Sequence, residues 1–318
     1  MKQTLVSAKS LTTRAPRIGS VIAALEYELL TEDAGLVERA GRPVFRVAGD
    51  EATDFLQGQL TNDVEALEAG GGCYAAVLSA KGKLRADLRV LRLDDGFLLD
   101  TEPIADAVVR HLLETYALGR RVSHTEEPLT VVSVLGPAAR ERLDAAPPEE
   151  EHAWVRGEHG LYVATDLGVD VIGEPGLADA LSVEPVSEEV AECLRIEAGR
   201  PRLGRDMGSE TIPAEAHLNE RAVSFTKGCY VGQETVARLH YKGKPNRHLR
   251  GLLLSEAAEH GDPILFGEKE VGKIGSACVS PRFGAIALAV VRREATPGDT
   301  VTVNGNEAEL VELPFSGG

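Results

Sequence analysis

The stretch KGCYVGQETVAR, residues 227–238, sets a cysteine between a lysine and two glycines and then runs into Gln233, Glu234 and a helical pattern. Gly228 and Gly232 admit a positive φ or a close backbone approach, so the segment reads as a tight turn opening a helix. Metal ligation, an activated thiol, or a bend shaped against a ligand would each suit such a turn. The cysteine spacing argues against metal: Cys73, Cys193, Cys229 and Cys278 lie far apart with no C-x-x-C pair, whereas zinc and iron–sulfur sites draw on closely spaced thiolates. The same spacing indicates a reducing compartment, where thiols need not pair. Two readings of Cys229 stay open: a small buried thiol in a turn, or a reactive thiol whose anion Lys227 favours if both side chains share a pocket.

Around this stretch the chain has 318 residues, 43% hydrophobic and 26% charged, with a formal net charge of −16. That length allows two or three domains. The charge excludes a general nucleic-acid binder and an adaptor for anionic membranes. No apolar run approaches the ~20 residues that span a bilayer, and a cytoplasmic protein is expected. Residues 1–20 carry Lys2, Lys9, Arg14 and Arg17 and no acid. They read as a basic arm, with a composition that also resembles an organellar transit peptide.

Helical spacing of Val21, Ile22, Leu25 and Leu29 predicts a helix from Ser20 to Leu30. Residues 43–63 read as strand, turn and helix, with Asp50 as the N-cap. Three strands follow, broken at Lys81-Gly82 and at Asp94-Asp95-Gly96. LTVVSVLGPAARERL (129–143) reads as strand, turn and helix with Pro137 near the helix start. LYVAT and VDVIG are strands, and a helix runs from Glu188 to Ala198 with Ser187 as its cap and Gly199 ending it. From Leu249 to Phe315 short strands and Gly-rich turns, including the hairpin signal VTVNGNEAELVEL, predict a small barrel or sandwich.

Three features stand out chemically. Glu197 continues the apolar face of Val190, Cys193 and Leu194, and a carboxylate there needs a partner. Either Arg200 or Arg202 pairs with it, or it meets the N–H donors of a heterocyclic ligand. Residues 237–250, ARLHYKGKPNRHLR, hold five Lys or Arg and two His with no acid; they form a solvated face or an anion pocket. Asp87 lies close to Lys81, Lys83 and Arg85, which an exposed strand ion pair would explain.

KGCYVGQETVAR resembles the signature of the YgfZ family, the folate-binding relatives of the glycine-cleavage T-protein. FLQGQLTNDVEALEAGGGCYAAVLSAKGKL and LRIEAGRPRLGRD resemble the first and central blocks that this family shares with the T-protein, and GKIGSACVSPRFGAIALAVVRR and the terminal ELPF resemble the T-protein-type C-terminal barrel. The resemblance runs from about Val44 to Phe315. It implies an α+β, T-protein-like fold: two α+β domains around a central folate channel, then a C-terminal β-barrel. The expected units are 20–125, 126–243 (which carries the K-G-C-Y-x-G-Q-E block and can interleave with the first) and 244–318. It also implies tetrahydrofolate, or a one-carbon derivative, as cofactor and a role in iron–sulfur cluster assembly or repair, with client or assembly proteins as partners.

The resemblance assigns folate contacts to Glu197, Arg247, Asn62 and Lys227, with Arg247 and the basic run meeting the glutamate tail. Cys229 and Asp87 become the catalytic candidates, and Gly228, Tyr230, Gly232, Gln233, Glu234 and Arg238 complete the signature. T-proteins instead move an aminomethyl group from a lipoyl carrier protein onto tetrahydrofolate. They open with an aromatic, proline-containing segment that this chain lacks, and they carry paired aspartates where it has Ala86-Asp87. Asp87 fills the second of those positions, so an aminomethyltransferase remains the alternative, and a non-catalytic folate-binding regulator a second one.

Overall fold

The computed structural model describes residues 21–316; the basic arm at 1–20 lies outside them. The chain opens with α1 (Val21–Glu32), β1 (Gly35–Glu38), β2 (Val44–Ala48) and α2 (Ala52–Gln59), then β3 (Gly72–Leu78), β4 (Leu84–Leu93) and β5 (Gly96–Thr101). Next come α3 (Asp106–Tyr116), β6 (Ser123–Glu127), β7 (Thr130–Leu135), β8 (Trp154–Gly157), β9 (Gly160–Thr165), β10 (Gly168–Gly173) and α4 (Leu177–Ala180). Helices α5 (Glu188–Glu197), α6 (Asn219–Ala222) and α7 (Gln233–Lys242) precede the last six strands. These are β11 (Arg247–Leu254), β12 (Pro263–Phe266), β13 (Lys269–Ser280), β14 (Gly284–Arg292), β15 (Thr300–Val303) and β16 (Asn306–Val311).

Two five-stranded sheets, ordered β3-β4-β5-β2-β6 and β1-β7-β10-β9-β8, pair antiparallel throughout, and β11-β14-β13-β12-β15-β16 close into a barrel. This is the expected α+β architecture with a terminal barrel. The passage between sheets falls between β6 and β7. Interleaving takes two forms: β1 pairs with β7 in the second sheet, and the segment expected in the second unit returns to the first. Leu218, Ala222, Tyr230 and Val236 pack in the first sheet's core with Phe55, Leu56 and Phe97.

Strand alternation sets what each sheet face carries. On β4, Ala86, Leu88 and Val90 enter that first core, while Leu91 and Leu93 point toward the second sheet. There they meet Val44, Leu98, Val131, Trp154, Leu161, Val163 and Ile172. Asp87 and Arg89 continue the same face of β4, as Asp100 does on β5, Ser133 on β7, Thr165 on β9 and Asp170 on β10. The contact between sheets therefore has an apolar half and a polar half, and the polar half is where the site lies.

Three local expectations need correction. Residues 137–142 form turns rather than a helix, with i→i+3 bonds such as Glu141 N to Ala138 O at 2.9 Å. Only about two turns of chain are free there before Asp144 is tied to Glu158 N, at 2.8 Å, and to the Tyr162 hydroxyl, so helix nucleation is not repaid. Asp50 does not cap α2; Glu51 takes that place, and both acids are drawn to Arg121 instead. Ser187 does take the N-cap position of α5, but its hydroxyl donates to Glu26 Oε2 at 2.5 Å rather than accepting a helix amide. The barrel hairpin turns as its Asn-Gly demands, with Asn304 at φ 53° and Gly305 at φ 81°. Among the described residues no helix is long and apolar enough to cross a membrane.

Candidate functional site

The signature loop is a bracket with an exposed tip. Lys227 is buried and donates to the carbonyls of Gln57, Leu60 and Asn62 at 2.7, 2.7 and 2.8 Å. Its charge thus meets the orphaned carbonyls at the end of α2. Burial pulls its ammonium down to about 8. Tyr230, three residues on, is buried in the first core, and burial pushes its hydroxyl up to about 12. Between these anchors Gly228 and Cys229 are exposed. The shared pocket for Lys227 and Cys229 is therefore absent: the ammonium is spent on three carbonyls, and the thiol it acts on electrostatically is buried Cys73.

The two signature glycines differ in what the fold asks of them. Gly232 is at φ 86°, and a Cβ there would meet Ser79 O at 2.5 Å, because the Ser79–Gly82 turn docks on the start of α7. Gly228 has open space around it and no positive φ. Gly232→Ala should cost about 1–3 kcal/mol of stability, whereas Gly228→Ala should stay within about 0.5 kcal/mol. Urea unfolding of both variants checks this; equal costs would contradict the docking. Gln233 is half-buried, and Glu234 and Arg238 lie exposed on α7.

Between the sheets lies a cavity of about 200 Å³ lined by Asp87, Arg89, His152, Thr165 and further charged residues. Asp87 is buried, so the expected ion pair with Lys81, Lys83 or Arg85 does not form. Its Oδ2 accepts the Tyr74 hydroxyl at 2.5 Å, and its Oδ1 has no hydrogen-bond partner among the described residues. Burial, only partly offset by the Tyr74 bond, raises its carboxyl above the usual range. Arg89 bridges the sheets: Nε donates to Asp100 Oδ2 and Nη1 to Asp170 Oδ2, both at 2.7 Å. Arg42 holds the other oxygen of Asp100 at 2.5 Å. Burial opposes ionisation of Asp100 and Asp170, but these guanidinium groups outweigh it and hold both carboxyls below the usual range.

Four more buried atoms at the cavity find no hydrogen-bond partner among the described residues: Arg89 Nη2, both ring nitrogens of His152 and Thr165 Oγ1. Burial pulls His152 down to about 4, so its ring is neutral near pH 7. A concentration of unsatisfied donors and acceptors in one cavity is what a polar ligand would relieve.

Of the sequence candidates only Asp87 lines this cavity. Glu197 is buried on the predicted face of α5, but neither Arg200 nor Arg202 pairs with it. Its oxygens accept Tyr27 Oη at 2.9 and 3.0 Å and Ser280 Oγ at 2.5 Å, so it needs no heterocycle. The cavity-facing side of α5 carries Glu192 and Arg195 instead. Arg247 is committed to Glu215, at 2.8 and 3.0 Å, and to the carbonyl of Glu210 at 2.6 Å. The basic run divides between α7 and β11, with Arg250 paired to Glu312, and forms no single pocket. Asn62 acts from behind the wall, donating to the carbonyls of Tyr74 and Arg221 at 2.8 and 3.2 Å.

Tyr74, Arg89, His152, Thr165 and Arg221 were not singled out from the sequence. A signal for Arg89 and for its partner Asp170 exists: charged residues inside otherwise apolar strands, as in LRADLRVLRL and VDVIG. No cluster of three or more His, Cys, Asp or Glu that could hold a metal occurs among the described residues.

Comparison with known proteins agrees with this architecture. Residues 17–169 match the GCVT N-terminal domain, and residues 247–316 match the glycine cleavage T-protein C-terminal barrel domain. The chain is similar to the tRNA-modifying protein YgfZ of Klebsiella pneumoniae, 30% identical over 258 residues that cover 76% of each chain. It is also similar to a protein of Natronomonas pharaonis named "Probable aminomethyltransferase", 29% identical over 91% of this chain and 89% of the other. In fold it resembles the glycine cleavage system aminomethyltransferase T from Bartonella henselae, with a TM-score of 0.83 at 23% identity over 92% of this chain and 89% of that one. With both T-protein-type regions, the closed terminal barrel and this similarity to YgfZ proteins, the chain belongs to the YgfZ family.

Proposed function

We propose that the inter-sheet cavity holds a tetrahydrofolate by its pterin, and that the protein serves iron–sulfur cluster assembly or repair in client proteins through the Cys229 tip. One observation carries the first half: Asp87 Oδ1 is buried, aimed at the cavity and without a hydrogen-bond partner among the described residues. A pterin offers an amino group and ring N–H donors that suit this carboxylate, and a carbonyl that suits Arg89 Nη2. His152 and Thr165 supply the remaining orphaned groups. Arg39, Arg200 and Arg221, partly exposed at the same cavity and paired with Glu188, Asp166 and Glu151, would share or exchange those partners for the carboxylates of a glutamate tail. A bound tetrahydrofolate would supply a carrier for a one-carbon unit. Asp87, with its raised carboxyl, is the group placed to hold or pass a proton beside it.

The second half rests on family membership and on the bracket that presents Cys229 outward. An exposed thiol can exchange with a client disulfide or briefly ligate iron. YgfZ relatives carry the name tRNA-modifying protein. With a net charge of −16, this chain would contribute to tRNA modification through a protein client rather than by gripping RNA. Cys229→Ala should lower the activity of iron–sulfur client enzymes in cells and leave tetrahydrofolate affinity unchanged. Client activity that survives the substitution would remove Cys229 from the account.

Asp87 in the cavity also favours a second reading, aminomethyl transfer. Ammonia release from an aminomethyl-lipoyl carrier protein with tetrahydrofolate separates the two. The leading reading expects none; release that disappears in Asp87→Asn would establish the transferase instead.

A further inference from the structure

Cys193 on α5 and Cys278 on β13 face each other where the α+β body meets the barrel. Both are free and buried, 0% and 3% exposed, and their sulfurs lie 3.0 Å apart. The strand's alternation fixes this approach. Three successive inward positions of β13 each hold α5: Ser276 Oγ accepts Arg195 Nη2 at 2.7 Å, Cys278 meets Cys193, and Ser280 donates to Glu197 at 2.5 Å. Glu197 Oε1 also lies 3.6 Å from Cys193 Sγ. A bonded pair sits at about 2.05 Å, so closure asks the two sulfurs to approach by about 1 Å.

We propose that this dithiol is an oxidation site, at which a small peroxide forms a Cys193–Cys278 disulfide that staples α5 to the barrel. Cys278, the less buried of the two, reacts first: its sulfur takes one oxygen from hydrogen peroxide, giving the sulfenic acid and one water. The Cys193 sulfur then attacks the Cys278 sulfur, the S–S bond forms, and the hydroxyl leaves. Glu197 accepts the Cys193 proton and passes it to the departing hydroxide, which becomes the second water. Two thiols are oxidised, one peroxide is reduced and two waters are formed. The hydrogen bond from Cys278, then burial and the Glu197 charge, hold the Cys193 thiol well above its ordinary value. Attack is therefore slow without a proton acceptor in contact, and Glu197 is that acceptor. The staple reaches the cavity, because Glu192 and Arg195 line it from the opposite side of α5. None of this depends on what the cavity binds.

The test uses the full chain carrying Cys229→Ser, which removes the exposed competing thiol. Exposure to a few equivalents of hydrogen peroxide should abolish two titratable thiols together and yield a linked 193–278 peptide by mass spectrometry, both reversed by dithiothreitol. Closing this 85-residue loop should raise the melting temperature by about 10 °C. With Cys193→Ala in the same background, oxidation should stop at a dimedone-reactive sulfenic acid on Cys278. Glu197→Gln should slow disulfide formation at least tenfold while leaving Cys278 oxidation in the Cys193→Ala background unchanged. Absence of the linked peptide from folded protein, or independent over-oxidation of Cys193 and Cys278, would overturn the proposal.

Discussion

Arg89→Leu is expected to lower stability by about 3–5 kcal/mol, the usual cost of removing one partner of a buried ion pair. Arg89 is 4% exposed and contacts carboxylates from both sheets, Asp100 and Asp170, which are 1% and 9% exposed. Arg42 still holds Asp100 in the variant, whereas Asp170 keeps the Ser133 hydroxyl at 2.5 Å and the more distant charges of Arg42 and Arg39. The pH dependence distinguishes this loss from simple repacking. In the wild type the folded values of Asp100 and Asp170 lie below the unfolded one. Their stabilisation is thus complete above about pH 4 and fades as pH falls through the folded values. In the variant Asp170 loses the largest of the charges that hold its carboxyl down, so its folded value lies higher than in the wild type, and the part of the deficit due to that charge is full near pH 7 and fades on acidification. Urea midpoints should show the deficit narrowing as pH is lowered from 7 to about 3, through the carboxylate range. A deficit independent of pH would mean that the charges are not its cause.

Much of the fold is legible in residues that act locally. Lys81-Gly82, Asp94-Asp95-Gly96 and Asn304-Gly305 sit at strand boundaries because turn geometry depends on a few neighbouring φ values. Local reading fails at Pro137, where the next strand pair ties the chain down before a helix can propagate. It also fails at Asp50, whose side chain is drawn to an arginine 71 positions away.

The site is less legible because its contacts are between distant strands. Nothing near Arg89 in the sequence announces Asp170, 81 residues away. Conversely, the residues that look reactive in sequence are largely spent inside the fold. Lys227 seals a helix end, Glu197 is satisfied by Tyr27 and Ser280, and Arg247 is held by Glu215. Each carries an unpaired charge or an odd neighbour in the sequence, and tertiary structure supplies the partner. Asp87 is the exception. Its second oxygen is left over after Tyr74, and that leftover acceptor is what points to a ligand.

The most direct measurement of the central claim is calorimetric titration of tetrahydrofolate into the wild type, Asp87→Asn and Glu197→Gln, with folding checked by circular dichroism. The wild type should bind one equivalent. Asp87→Asn should weaken binding about tenfold or more, since a hydrogen bond to a charged group is worth about 1.5–3 kcal/mol. Glu197→Gln, folded, should bind as the wild type does, because its carboxylate lies on the far side of α5. Full affinity in Asp87→Asn together with loss in folded Glu197→Gln would contradict the account and put the folate at the junction of α5 with the barrel.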